Sequence, residues 1–267
     1  MSGETKTDPG TEELCFTVSD GIGTITFNRP EARNAFTFAM YERLREICET
    51  VPGDGSLKVL IMLGAGERAF AAGTDIAQFR DFKTAEDALA YERQIEAVLS
   101  AIERCPVPTI AAISGACTGG GAGIAVACDL RLTSRDMRFG FPIARTLGNC
   151  LSAGNLARLS ALMGEGRVKE LIFTSRLLGA EEALGIGLVS EILDDRAALM
   201  NRATALAAEL TERAPLTLRA TKETLRRLRT TARVDDADLI ALCYESEDFR
   251  SGLEAFLAKR KPRWKGR

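Results

Sequence analysis

The chain has 267 residues, 46% of them hydrophobic, enough to bury a large core as one domain or as one domain with an appendage, which leaves disorder to the ends. Lys plus Arg number 35 against 37 Asp plus Glu, so the net charge of -2 gives no field that would draw in nucleic acid or an anionic membrane, and neither is expected as a partner. No apolar run reaches the roughly 20 residues of a spanning helix, and the first residues lack the basic and apolar regions of a signal peptide, so a cytoplasmic location is expected. After a polar, flexible tail over 1–13, LCFTV and GTITFN flank the turn Ser19-Asp20-Gly21 and read as a hairpin of alternating strands. Residues 38–50 carry an amphipathic helical pattern. The apolar run LKVLIML at 57–63 is too short for a helix and reads as a buried parallel strand. A helix over 85–104 is stopped by Cys105-Pro106-Val107-Pro108, and 109–113 forms the next buried strand. A short apolar helix over 120–127, a strand over 130–133, and helices around 154–163 and 167–173 continue the alternation. The core, 14–195, is therefore α/β. Only helical periodicity follows in 196–267, over 197–213, 216–229, 235–247 and 250–260, a region whose apolar stripes must be covered by something, such as a partner subunit.

Seven scattered cysteines with no CxxC pair indicate neither a disulfide framework nor a zinc site, and no metal is expected. The absence of histidine is more informative. It removes Ser-His-Asp and Cys-His nucleophilic catalysis, HExxH metal sites and the usual general base together.

Two loops follow buried strands and carry glycine where the backbone must approach something closely: AFAAGTDI at 69–76 and SGACTGGGAG at 114–123. The second opens an apolar helix, where N–H groups without intrahelical acceptors carry the positive end of the dipole and can hold an anion or a developing oxyanion. A dinucleotide fingerprint does not fit, because the register ends at Val126 from Gly121 and at Ile124 from Gly119. A P-loop lacks its Gly-Lys-Ser/Thr. A tight turn needed only for packing stays open as an alternative.

The series NRPEARNA at 28–35, 69–76, 114–123 with Cys128-Asp129-Leu130-Arg131, and FLAKRKP at 256–262 resembles the crotonase (enoyl-CoA hydratase/isomerase) superfamily in order and spacing, over nearly the whole chain. The resemblance implies a ββα-spiral core, a C-terminal helical trimerisation region, a homotrimer or hexamer, and coenzyme A bound as part of a thioester substrate, with no separate cofactor. It also implies an oxyanion hole made by the backbone N–H groups of Thr74 and Gly120, for which the Thr74 side chain matters little. Ala32, Ala72, Asp75 and Ile76 would lie along the CoA, Ala72 meeting the adenine through its backbone. Ala77 stands where the family often has a basic contact. Lys259 would reach the CoA of a neighbouring subunit, or is a solvated charge beside Arg260 and Lys261. Asp75 also suits a capping or turn role.

The pattern breaks at chemistry. The two glutamates of a family hydratase correspond to Gly123 and Ile143, and neither glycine nor isoleucine transfers a proton. Paired-glutamate hydration and single-carboxylate isomerisation are both disfavoured. In the segment that replaces the second glutamate, Arg145 either binds a second carboxylate on the acyl group or forms a structural ion pair. Cys150, without a histidine to activate it, reads as a packing thiol. Asn149, Thr146 and Thr118 can orient water but are poor bases. The resulting expectation is an acyl-CoA thioester lyase or isomerase that holds an enolate in a backbone oxyanion hole. The alternatives are a malonyl-type CoA decarboxylase, which needs no protein base because loss of CO2 makes the enolate, and a non-catalytic acyl-CoA binding protein.

Overall fold

The computed structural model describes residues 6–7, 13–52, 54–230, 241 and 244–262. The two-residue strand β1 (Lys6–Thr7) lies inside the stretch read as a tail and pairs antiparallel with β2 (Leu14–Ser19), opposite Val18 and Thr17. β2 then pairs with β3 (Ile22–Phe27) from Leu14 opposite Phe27 to Ser19 opposite Ile22. Asp20 and Gly21, both at positive φ (51° and 76°), make the tight turn whose twist matches the hairpin. α1 (Phe38–Glu49) is started by Thr37, whose hydroxyl accepts the Met40 N–H.

Three successive units then run strand, short strand, helix. They are β4 (Val59–Gly64), β5 (Ala69–Ala71) and α2 (Ala85–Arg104); β6 (Thr109–Ile113), β7 (Ala116–Thr118) and α3 (Gly120–Ala127); β8 (Leu130–Ser134), β9 (Arg138–Gly140) and the single turn α4 (Ile143–Thr146). The first strand of each unit joins a seven-stranded sheet ordered β1-β2-β3-β4-β6-β8-β10, and the second joins a three-stranded parallel sheet ordered β5-β7-β9. This is a ββα spiral. β4 and β6 are buried at every residue, as strands covered on both faces must be. The remaining elements are α5 (Ala153–Met163), α6 (Glu165–Thr174), α7 (Ala180–Gly185), β10 (Glu191–Leu193), α8 (Arg196–Thr211), α9 (Pro215–Thr230) and α10 (Glu247–Leu257).

The main core lies between the sheets and α1 to α3, with Phe27, Phe36, Tyr41, Phe70, Phe139 and Phe141 all essentially inaccessible. The other face of the large sheet is closed by α8. Its Leu199, Ala203 and Ala207 repeat every four residues and pack on Val59, Ile61, Ile110 and Leu132, so this helix of the C-terminal region completes the core. Most of the helix expected over 235–247 lies outside the described residues, and the last helix sits about three residues earlier than the expected 250–260. Among the described residues no strand follows β10 and no helix is long and apolar enough to cross a membrane.

Candidate active site

The segment 28–36 stitches the first glycine loop in place. Asn34, fully buried and in the left-handed region, donates from Nδ2 to the carbonyls of Ala65 (2.9 Å) and Ala69 (2.7 Å) and accepts the Arg29 N–H at Oδ1 (3.0 Å). The Ala72 N–H donates to the Arg33 carbonyl (3.0 Å), the Phe36 N–H to the Gly73 carbonyl (2.8 Å), and the Asp75 N–H to the Phe36 carbonyl (2.8 Å). Between these bonds the Thr74 amide meets no protein acceptor among the described residues. The second loop turns at Gly119 (φ 53°, ψ -123°), and Gly120 opens α3, where its N–H has no intrahelical partner. The loops touch: a Cβ built on Gly73 would lie 3.9 Å from the Gly120 nitrogen.

Both loops border one cavity of about 210 Å³. Its walls are largely apolar, with Ile76, Phe79, Ile95, Leu99, Phe141, Ile143, Leu147, Leu151 and Phe256 among them. Of the residues singled out from the sequence, Ala72, Thr74, Ile76, Gly120, Gly123, Ile143 and Asn149 line it. Ala32, Asp75, Arg145 and Lys259 do not. Arg145 and Lys259 are exposed. Ala32 ends a 3-10 turn, Pro30–Ala32. Asp75 caps the 3-10 turn Ile76–Asp81 by accepting the Ala77 N–H (3.1 Å) and pairs with Arg29 (3.1 Å), so its carboxylate is spent on structure. Ala72 has only its carbonyl to offer a ligand, because its N–H is taken by Arg33. Cys150 packs beside Ala88, Tyr244 and Phe249 at the cavity edge.

Two features escape the sequence. The first is a chain of hydroxyls: Thr74 Oγ1 lies 2.9 Å from the Tyr41 phenol oxygen and 2.8 Å from that of Tyr91. The Thr74 side chain therefore links two phenols of the wall, a role separate from that of its backbone N–H. Burial is the main force pushing the Tyr41, Tyr91 and Tyr244 phenols up, and the nearby Glu92 charge adds to it in each case, so all three stay protonated at neutral pH. The second feature is Glu92 itself, 7% exposed and the one carboxylate in the cavity wall among the described residues. It accepts a hydrogen bond from the Tyr244 hydroxyl (3.0 Å), which in turn accepts one from Asn149 Nδ2 (3.4 Å). The signal for Glu92 was a charged residue inside the apolar stripe Ala88, Glu92, Ile95, Leu99 of α2. Among the described residues no cluster of side chains suits a metal ion.

The sequence profile described as enoyl-CoA hydratase/isomerase matches residues 17–267. The short-chain-enoyl-CoA hydratase of Clostridium acetobutylicum is 33% identical over 244 residues, which is 90% of this chain and 92% of that protein. An enoyl-CoA hydratase/carnithine racemase from Magnetospirillum magneticum superposes with a TM-score of 0.78 at 34% identity, covering 98% of this chain and 97% of the other. Methylmalonyl-CoA decarboxylase in complex with 2-nitronate-propionyl-CoA gives a TM-score of 0.86 at 25% identity, covering 96% and 99%. The chain belongs to the enoyl-CoA hydratase/isomerase family of the crotonase superfamily, and is an enzyme of that kind.

Proposed function

We propose that this enzyme binds an acyl-CoA thioester with its carbonyl oxygen between the N–H groups of Thr74 and Gly120, and stabilises the enolate of that thioester as a lyase or isomerase. The observation that carries this reading is the pair of amides without protein acceptors among the described residues, on touching loops of one apolar cavity. Fixed donors in a dry site stabilise charge as it develops on oxygen, and one such donor contributes about 3 kcal/mol to the transition state. Gly123 and Ile143 border the same cavity without an ionisable group, so a hydratase's two carboxylates are missing from the space they would occupy. The likeness to methylmalonyl-CoA decarboxylase favours a decarboxylating variant at the level of fold. Against it, among the described residues no Lys or Arg lines the cavity to hold a substrate carboxylate, Arg145 is exposed, and Glu92 brings a carboxyl to the wall. Self-association as a homotrimer or hexamer goes with this reading, supported by the exposed Leu225 and Leu228 on one face of α9.

The test is enolisation itself. With a saturated acyl-CoA in D2O and an added buffer base to take the proton, NMR should show enzyme-dependent exchange at the carbon next to the thioester carbonyl, and isotope-edited infrared should show the bound carbonyl stretch moved to lower frequency. Saturable binding with neither effect would leave a CoA-ester binder rather than an enolate-forming site.

A further inference from the structure

Asn155 carries an amide that its own helix leaves half used. The cap of α5 is Ser152, whose hydroxyl accepts the Asn155 N–H (3.4 Å), and Asn155 Nδ2 lies 3.5 Å from the same oxygen. Oδ1 is the other end of that amide, and among the described residues no protein donor meets it. The residue is only 6% exposed, and it borders the cavity. There a Cβ built on Gly123 would lie 3.5 Å from Asn155 Oδ1 and 3.6 Å from the Leu99 side chain, so the nearest neighbours on that side are hydrocarbon and a bare glycine. A buried acceptor without a donor is costly, and leucine would fill nearly the same volume without that cost. An asparagine here makes sense if something bound in the cavity donates to it.

Gly123 follows Gly120 by three residues on α3, about 4.5 Å along the axis, and both glycines border the cavity. Asn155 Oδ1 is thus about one helical turn from the amide proposed to hold the thioester oxygen. The thioester itself has no donor to offer, since its sulfur and oxygen carry no hydrogen and the carbon next to the carbonyl carries only C–H. A water does, and with hydrogen bonds of about 2.8 Å it bridges a gap of this order. Resting on the thioester-enolate reading above, we infer that Asn155 is a positioning residue, whose Oδ1 holds a water against the carbon next to the thioester carbonyl. The water donates one O–H to Oδ1. Its lone pair takes the proton from that carbon while its other O–H gives a proton to a base in solution, and the C–H electrons pass to the thioester oxygen as the enolate. The amide takes no proton at any point, which suits a group too weak to act as a base.

The experiment measures hydrogen exchange at that carbon by NMR, with the full-length protein and a saturated acyl-CoA in D2O, over a range of substrate and buffer-base concentrations. The infrared shift of the bound carbonyl is read alongside. Asn155→Leu should lower kcat for exchange about tenfold, the value of one hydrogen bond, and leave KM and the carbonyl shift unchanged. Asn155→Asp keeps the acceptor and sets its charge in the first turn of α5, where the helix dipole favours it, so this variant serves if the leucine one does not fold. A carboxylate in that place accepts the water's proton itself. Exchange in Asn155→Asp should therefore match or exceed the native rate, lose its dependence on buffer base, and fall at acid pH as the carboxylate is protonated. A native kcat in Asn155→Leu overturns the inference, as does an Asn155→Asp variant whose exchange still rises in proportion to buffer base. A carbonyl shift that persists while exchange is unaffected by either substitution removes the water alone and leaves the oxyanion hole standing. A native protein with neither shift nor exchange removes the enolate reading, and this inference goes with it.

Discussion

Gly120 has no room for a side chain, because a Cβ there would sit 1.9 Å from the Tyr41 phenol oxygen. Gly120→Ala must push Tyr41 off Thr74, and we expect a loss of about 1–3 kcal/mol in urea denaturation together with loss of the infrared shift of a bound thioester carbonyl. Thr74→Val separates side chain from amide: two buried phenols lose their shared partner, which should cost about 1–3 kcal/mol, while the carbonyl shift persists in whatever fraction stays folded. Gly123 is different, since a Cβ there finds only ordinary contacts, 3.5 Å from Asn155 Oδ1 and 3.6 Å from Leu99. The double substitution Gly123→Glu, Ile143→Glu should therefore fold and supply both missing carboxylates. We expect it to hydrate crotonyl-CoA, followed as a fall in enoyl absorbance, at a rate at least about a hundredfold above the unsubstituted protein. An equal rate in the two proteins would mean that some other group already orients the water.

Among the elements, α2, α5 and α9 are tied by charge. Arg158 of α5, with its side chain 3% exposed, reaches Glu96 (2.6 Å) and Glu103 (2.9 Å) of α2, and Arg229 of α9 closes on Glu103. Burial pushes the Glu96 carboxyl up, but hydrogen bonds and charge from Arg158 outweigh it and hold the group below its ordinary 4.5. A folded-state pKa below the unfolded one stabilises at pH above about 4.5, and that contribution fades as pH falls through the folded-state value. Urea midpoints measured downward from neutral pH should thus fall more steeply for the native protein than for Glu96→Gln. Arg158→Met takes the arginine from the half-exposed Glu96 and leaves Glu103 to Arg229 alone, and should cost about 1–3 kcal/mol at neutral pH. These links join residues about 55 to 130 positions apart, and no local pattern announces them. Of the strands that could be read directly, 109–113 is apolar after its first residue and 130–133, Leu-Arg-Leu-Thr, alternates apolar with polar, and the structure has them at Thr109–Ile113 and Leu130–Ser134. β5, β7 and β9 went unread because three residues such as Ala-Phe-Ala or Ala-Cys-Thr are too few to show alternation. The glycine loops of the site were legible for the opposite reason, since glycine marks close backbone approach. Glu92 was not, because it hides in a helix whose period points only to a core.

For the molecule as a whole, α9 leaves Leu225 and Leu228 at 62% and 68% exposure. Under the proposed homotrimer or hexamer these are covered by a second copy, so Leu225→Glu with Leu228→Glu should lower the mass found by analytical ultracentrifugation, and an unchanged mass would move the interface elsewhere. The spiral also has an evolutionary corollary. In the proposed oxyanion hole two of its successive turns contribute main-chain donors, which every residue but proline owns, whereas the adjoining positions 123 and 143 contribute only what their side chains happen to be. Point mutation can rewrite the second set freely while the first survives, so a lineage built on this scaffold can exchange one reaction for another without first forfeiting its grip on the substrate.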